Sequence, residues 1–111
     1  MDISELTEEM HRFVSKQGWY EAQSPRPQNL RNLAVSLVLE ASEVLEHFQW
    51  NGQLDDQDEL ANELADVMLY LLQIASIAEI DVEKAVLSKL EQNYQRTWDE
   101  NPNQVGEVDD E

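Results

Sequence analysis

The segment LEASEVLEHFQW, Leu39 to Trp50, carries apolar residues at helical spacing and sets Glu40, Glu43 and Glu46 among them. It shows no two-residue alternation, so it reads as helix rather than strand. A carboxylate buried without a partner is costly, so these glutamates either face water or await something positive. On a wheel of about 100° per residue, Leu33, Leu37, Val38, Ala41, Leu45 and Phe48 share a broad apolar arc. Glu40 and Glu43 fall beyond one edge of that arc, and Leu39 and Val35 lie past them. The two acids are therefore expected in a notch between two apolar surfaces, while Glu46 lies further round and is expected on the surface.

The pattern recurs downstream. In ELADV, Glu63 and Asp66 stand at i and i+3, flanked by Val67, Tyr70 and Ile77. Residues at this spacing project from one helix face. Two facing helices of this kind would gather four carboxylates, which cannot all stay ionised in a partly dry site without a counter-charge. A hard divalent cation solves the problem, and Mg²⁺ suits it best, because it accepts a few carboxylates and keeps its other positions for water or phosphate. Acid pairs at i, i+3 are also common on solvated helices of acidic chains. Spacing alone leans to the solvated reading, and the apolar flanks move the balance somewhat toward the metal. Apolar surface on both sides of the second helix, in a chain too small to cover it, predicts partner subunits.

Extending outward, the chain reads as all α. A first helix is expected over Ile3 to Gln17, closed by Gly18, followed by the proline-bearing loop GWYEAQSPRPQN. The second helix is expected over Leu30 to Phe48, with Asn51-Gly52 as its exit turn. Asp56 and Glu59 look like a capping box for a third, Gln57 to Ala78, and Asp81 can cap a fourth, Val82 to Arg96. Residues 1–98 are thus expected to form one domain, and residues 99–111, acidic and with almost nothing to bury, a disordered tail. On the fourth helix Lys89, Asn93 and Arg96 share a stripe holding two of only seven basic residues. That stripe is either a phosphate contact or a solvated edge. Trp19, Trp50 and Tyr20 are candidates for stacking a nucleobase, though any one aromatic is more often core or interface. His11 and His47 need no catalytic role.

Composition narrows the function. The 111 residues include 24 acidic and 7 basic side chains, for a formal charge of -17. An acidic excess spread through the body argues against nucleic-acid binding, which is driven by Lys and Arg displacing counterions. There is no cysteine, so disulfides and thiolate metal sites are excluded. The start MDISELTEEMHRF lacks the pattern of a secretion signal, and the run Val67 to Ile80 is too short and interrupted to span a bilayer. A soluble cytoplasmic protein with no membrane contact is the expectation.

The ordered set Glu40-x-x-Glu43, HFQW (His47 to Trp50), Glu63-Leu-Ala-Asp66-Val and Ser88-Lys89 with Asn93 resembles the MazG-like all-α nucleoside triphosphate pyrophosphohydrolases, and within them the dCTP pyrophosphatase branch. The likeness covers Leu6 to Arg96. Each motif is weak alone, and their order is specific. The resemblance implies a four-helix bundle assembling as a dimer or a tetramer of two dimers. It implies that Glu40, Glu43, Glu63 and Asp66 ligate Mg²⁺, for which Mn²⁺ can substitute, with Glu40 or Glu43 as candidate proton acceptor. Lys89, Asn93 and, more weakly, Arg96 would contact the triphosphate, and Trp19 and Trp50 would help form the base pocket. The implied reaction takes a (deoxy)nucleoside triphosphate, dCTP or a related or modified pyrimidine, to the monophosphate and pyrophosphate, in nucleotide-pool house-cleaning. Alternatives are a dUTPase-like or phosphoribosyl-ATP pyrophosphohydrolase of the same superfamily, or a non-catalytic acidic helical module. The chain departs from the family pattern in the longer loop ahead of the second helix, in PRPQNL, and at Thr97-Trp98, all near the base.

Overall fold

The computed structural model describes residues 1–50 and 52–99. It contains helices α1 (Ile3–Lys16), α2 (Leu30–Glu46), α3 (Gln57–Ile77) and α4 (Val82–Asp99), with no strand among the described residues. All four expected helices are present, and the differences lie at their ends. The second helix stops at Glu46, and Phe48 sits in a turn where its N–H donates to the Leu45 carbonyl at 2.9 Å. The fourth runs three residues past Arg96 to Asp99, which therefore belongs to a helix rather than to a tail. Asn51 and residues 100–111 lie outside the described residues.

Side chains cap each helix start. Asp2 and Glu5 form a reciprocal capping box on α1. Asn29 accepts from the Asn32 N–H at 2.8 Å, and Asp56 from the Glu59 N–H at 3.0 Å. Only that half of the expected Asp56/Glu59 box is made. Asp81 accepts from the Lys84 N–H at 3.1 Å, as its position predicted.

Two helices end in the same way, with a residue in the left-handed region. After α1, Gly18 has φ 78°, its N–H bonds the Ser15 carbonyl and the Trp19 N–H reaches back to Val14 at 3.2 Å. After α3, Glu79 takes φ 60° while the Ile80 N–H bonds the Ala75 carbonyl at 2.8 Å. Both are Schellman closures, which satisfy carbonyls left over at the helix end. Glycine adopts such a φ without strain and glutamate does not.

By contacts the chain divides into two compact units, Met1–Ile80 and Asp81–Glu111. In the first, α3 is the centre, packing extensively on α2 and also on α1. The core consists of Met10 and Val14 from α1, Leu33 from α2, and Leu72 and Ala75 from α3, with Gln73 buried beside them. The described part of the second unit is α4, whose residues 83–96 are exposed.

The inward face of α2 differs from the expected one. Leu33 is buried and Leu37, Glu40 and Val44 are half-buried, whereas Val38 is 66% and Leu45 68% exposed. The helix is turned so that Glu40 lies along its inward stripe rather than in a notch beside it, and much of the apolar arc faces out. Leu39, Leu64 and Met68 are exposed too. By length and composition alone, α3 is apolar enough to cross a membrane, beyond what the shorter run Val67 to Ile80 suggested. It also carries Glu63 and Asp66 near its middle, and only 17% of that apolar window is buried in the fold.

Candidate active site

The closure of α1 fixes the first element of the site. Because Trp19 follows Gly18 in the Schellman turn, its ring is held against the helix it has just left. It meets Phe13 edge-on with centroids 5.6 Å apart. The following loop brings the Arg26 guanidinium over the Trp19 ring, 5.2 Å from its centroid, a cation–π arrangement. These groups border a cavity of about 650 Å³ whose apolar wall includes Met10, Val14, Leu33, Leu69 and Tyr70. A cavity of that size is in the range that takes small ligands and cofactors.

The polar wall comes from α2, α3 and the loop. Gln28, Asn32, Ser36 and Gln73 line the cavity. Gln73 Nε2 donates to Tyr20 Oη at 3.1 Å and to Gln28 Oε1 at 2.8 Å. Tyr20 Oη lies 2.6 Å from His11 Nδ1, and His11 Nε2 lies 2.7 Å from Ser76 Oγ. Burial pushes the Tyr20 phenol up from its usual value, with the Gln73 hydrogen bond pulling the other way, so the phenol stays a neutral hydroxyl at physiological pH.

Glu40 and Asp66 enter the same wall. Burial holds the Glu40 carboxyl above its ordinary range, and the charges of Glu43, Asp66 and Glu63, in that order, push it further the same way. A hydrogen bond between the Glu40 and Asp66 side chains adds to the effect, since it requires a proton on one of them. The charges of Glu43, Asp66 and Glu63 are thus near enough to Glu40 to tighten its hold on its proton.

Glu63 has a second neighbour. His47 Nε2 donates to Glu63 Oε1 at 2.5 Å, and His47, Glu59 and Glu63 each offer a ligand atom within 4.8 Å of the others. That His/Glu cluster can hold a metal ion, and Glu63 belongs both to it and to the four-acid group. The imidazole supplies the positive or hydrogen-bonding partner that the carboxylate needs.

Of the residues singled out in the sequence, the structure places Glu40, Asp66 and Trp19 in the cavity lining and Glu43 and Glu63 near enough to act on the Glu40 carboxyl, while the cluster of ligand atoms within 4.8 Å of one another takes Glu63 alone of the four acids, with His47 and Glu59. It does not bring Trp50 there: that ring is 87% exposed and lies outside the cavity lining. Lys89, Asn93 and Arg96 are exposed on α4. Sequence reasoning missed Gln73 and the contact of His47 with Glu63. A signal for Gln73 was present, a lone amide in the apolar run YLLQIA; nothing in the spacing pointed from His47 to Glu63, sixteen residues on.

The sequence profile of the MazG-like family matches residues 35–107, well over half of the chain. The chain belongs to the MazG-like family. Among MazG-like relatives, it is 33% identical to dCTP pyrophosphatase 1 of Rattus norvegicus and 35% identical to that of Homo sapiens, in each case over 76% of this chain and 52% of the relative. The chain spans about half the length of these relatives. A solved pyrophosphatase from Archaeoglobus fulgidus superimposes with a TM-score of 0.69 at 32% identity, covering 85% of this chain and 90% of the other. The four-helix all-α architecture thus matches that of a solved pyrophosphatase, and Glu40, Glu43, Glu63 and Asp66 all lie within the residues that the family profile matches.

Proposed function

We propose that this protein is a divalent-metal-dependent nucleoside triphosphate pyrophosphohydrolase, cleaving dCTP or a related or modified pyrimidine (deoxy)nucleotide between the α and β phosphates. The observation that carries this reading is the entry of Glu40 and Asp66 into the lining of a cavity that also holds Phe13, Trp19 and Tyr70, with the charges of Glu43 and Glu63 bearing on Glu40. The names of the relatives, dCTP pyrophosphatase and pyrophosphatase, agree with it.

The donors fit the proposed ion. All four are hard oxygen ligands crowded enough to raise Glu40, and Mg²⁺ accepts such a set while keeping positions for water and phosphate oxygens; Mn²⁺ suits the same donors. Glu40, Glu43, Glu63 and Asp66 would hold it. When bound, the ion neutralises charge developing on the phosphates and orients the leaving pyrophosphate. Glu40 or Glu43 accepts a proton from the attacking water. Trp19 stacks the base, and Lys89, Asn93 and Arg96 contact the triphosphate. Trp50, so exposed in one chain, joins a base pocket only in an assembly.

Assembly belongs to the same reading. Val38, Leu39, Leu45 and Leu64 are each more than half exposed, which a homodimer or a tetramer would cover. Light scattering on the purified protein tests it, and a stable monomer would remove it. A cytoplasmic role in clearing unwanted nucleotides, without nucleic-acid or membrane partners, completes the proposal.

The deciding experiment is product analysis across a nucleotide panel with Mg²⁺. Monophosphate and pyrophosphate are expected; orthophosphate, or no turnover of any nucleotide, would sink the reading. Glu43→Gln and Asp66→Asn should abolish turnover with helicity unchanged.

A further inference from the structure

Gln73 is 3% exposed and lines the cavity. Its amide nitrogen has two protons, and both are committed, to Tyr20 Oη and to Gln28 Oε1. Tyr20 Oη accepts from Gln73 and is held in place by His11 Nδ1 at 2.6 Å, whose Nε2 in turn meets Ser76 Oγ at 2.7 Å. Gln28 is itself fixed, because its Nε2 donates to the Arg26 carbonyl at 2.7 Å and so leaves Oε1 turned to Gln73. A reversed Gln73 amide would set oxygen against oxygen at Gln28 and lose both of its donated bonds.

The consequence is a single acceptor of known orientation. Among the described residues no buried side-chain nitrogen or oxygen lacks a hydrogen-bond partner. Among the described residues Gln73 Oε1 has no hydrogen-bond donor, so it must be reachable from outside, and the space that so buried a residue can reach is the cavity it lines. The same wall carries the aromatic rings that would hold a flat heterocycle.

We propose that Gln73 Oε1 reads the exocyclic amine of the nucleobase, so that the cavity selects triphosphates whose base bears an amino group over those bearing a carbonyl at that position. The inference rests on the pyrophosphohydrolase reading and deepens it. An amine donates to Oε1 and satisfies it. A carbonyl sets two acceptors face to face and strands both from water, because Gln28 allows the amide no second orientation. Leaving one such buried group unpaired costs on the order of 10- to 100-fold in kcat/KM. The relay residues His11, Tyr20, Ser76 and Gln28 act through Gln73 and are positioning residues.

Two matched pairs isolate the effect from base size: dCTP against dUTP, and dATP against dITP. The wild-type protein is expected to favour the amino member of the pair it turns over by about 10- to 100-fold. Gln73→Leu, similar in bulk and without an acceptor, should bring that ratio to within a few-fold of unity. Because this variant strands Tyr20 and Gln28, its fold is checked by circular dichroism. If it does not fold, Gln28→Leu decides: it removes the partner that fixes the amide, lets Gln73 turn, and should also lower the ratio while sparing the Tyr20–His11 and His11–Ser76 contacts. No amino preference in the wild type, or an unchanged ratio in a folded variant, overturns the proposal while turnover itself stands. Failure of every nucleotide to turn over sinks the enzymatic reading instead; calorimetry with dCMP and dUMP then decides the role of Gln73, and equal binding overturns it.

Discussion

His47 Nε2 and Glu63 Oε1 lie 2.5 Å apart, with side chains only 11% and 22% exposed. This contact ties the exit turn of α2 to the acidic stretch of α3. It also gives one of four crowded carboxylates a partner of its own. His47→Ala should therefore loosen Glu63 and lower turnover by about 10- to 100-fold, the usual effect of losing a group that orients a metal ligand. His47→Gln, which keeps a donor, should recover part of the loss. Steady-state kinetics beside thermal melts would show whether the effect lies in the site or in the fold; equal turnover in all three proteins would refute it.

Glu40 predicts a pH dependence with a definite sign. Burial first, and then Glu43, Asp66 and Glu63, raise its carboxyl above the ordinary value. A group that binds its proton more tightly when folded stabilises the fold while protonated. That contribution fades as pH rises from the unfolded value through the folded one. In metal-free buffer, Glu40→Gln should therefore melt higher than wild type near neutral pH, with the gap closing in acid. Mg²⁺ should raise the wild-type melting temperature more than that of the variant, since an ion bound to the folded state stabilises it by mass action. A gap that does not vary with pH would contradict the assignment.

Leu72 is 2% exposed and among the most buried side chains described. Truncation to alanine removes its contacts and leaves a cavity in α3, the helix on which both α1 and α2 pack. Leu72→Ala should cost about 2–5 kcal/mol, read from the shift of the urea midpoint at constant slope. A loss below about 1 kcal/mol would mean that the neighbouring helices collapse into the space.

The two Schellman closures predict opposite responses. Glu79 holds φ 60° without the freedom of glycine, so Glu79→Gly should stabilise the protein by up to about 1 kcal/mol. Gly18→Ala should destabilise it by about 1 kcal/mol, although a Cβ there would meet nothing within 4 Å, so backbone strain rather than a clash is the cause. Chemical denaturation of the two variants checks both signs.

The helices and two of their caps were legible because they depend on local chemistry: Asp56 and Asp81 each cap the N–H groups beside them, and Asp2 and Asn29, which do the same for the first two helices, were passed over in the sequence. The acid pairs were legible for the same reason, since i, i+3 spacing places them on one face whatever the helix packs against. The rotation of α2 was not legible, because the wheel ranks residues by polarity, while the inward stripe is set by what α3 presents to it. Val38 and Leu45 are as apolar as Leu33, and only Leu33 is buried. The pairing of His47 with Glu63 and the relay from Ser76 to Gln28 join residues far apart in sequence, and periodicity carries no information about such meetings.

The ring of Trp19 owes its place to the last turn of α1, through the bond from its own N–H to the Val14 carbonyl. A ligand pressed against that ring would also hold the turn shut, so occupancy of the cavity and fraying of the helix end become one equilibrium. The Trp19 amide should then exchange its hydrogen more slowly when the cavity is filled, which makes a helix terminus a reporter on the ligand.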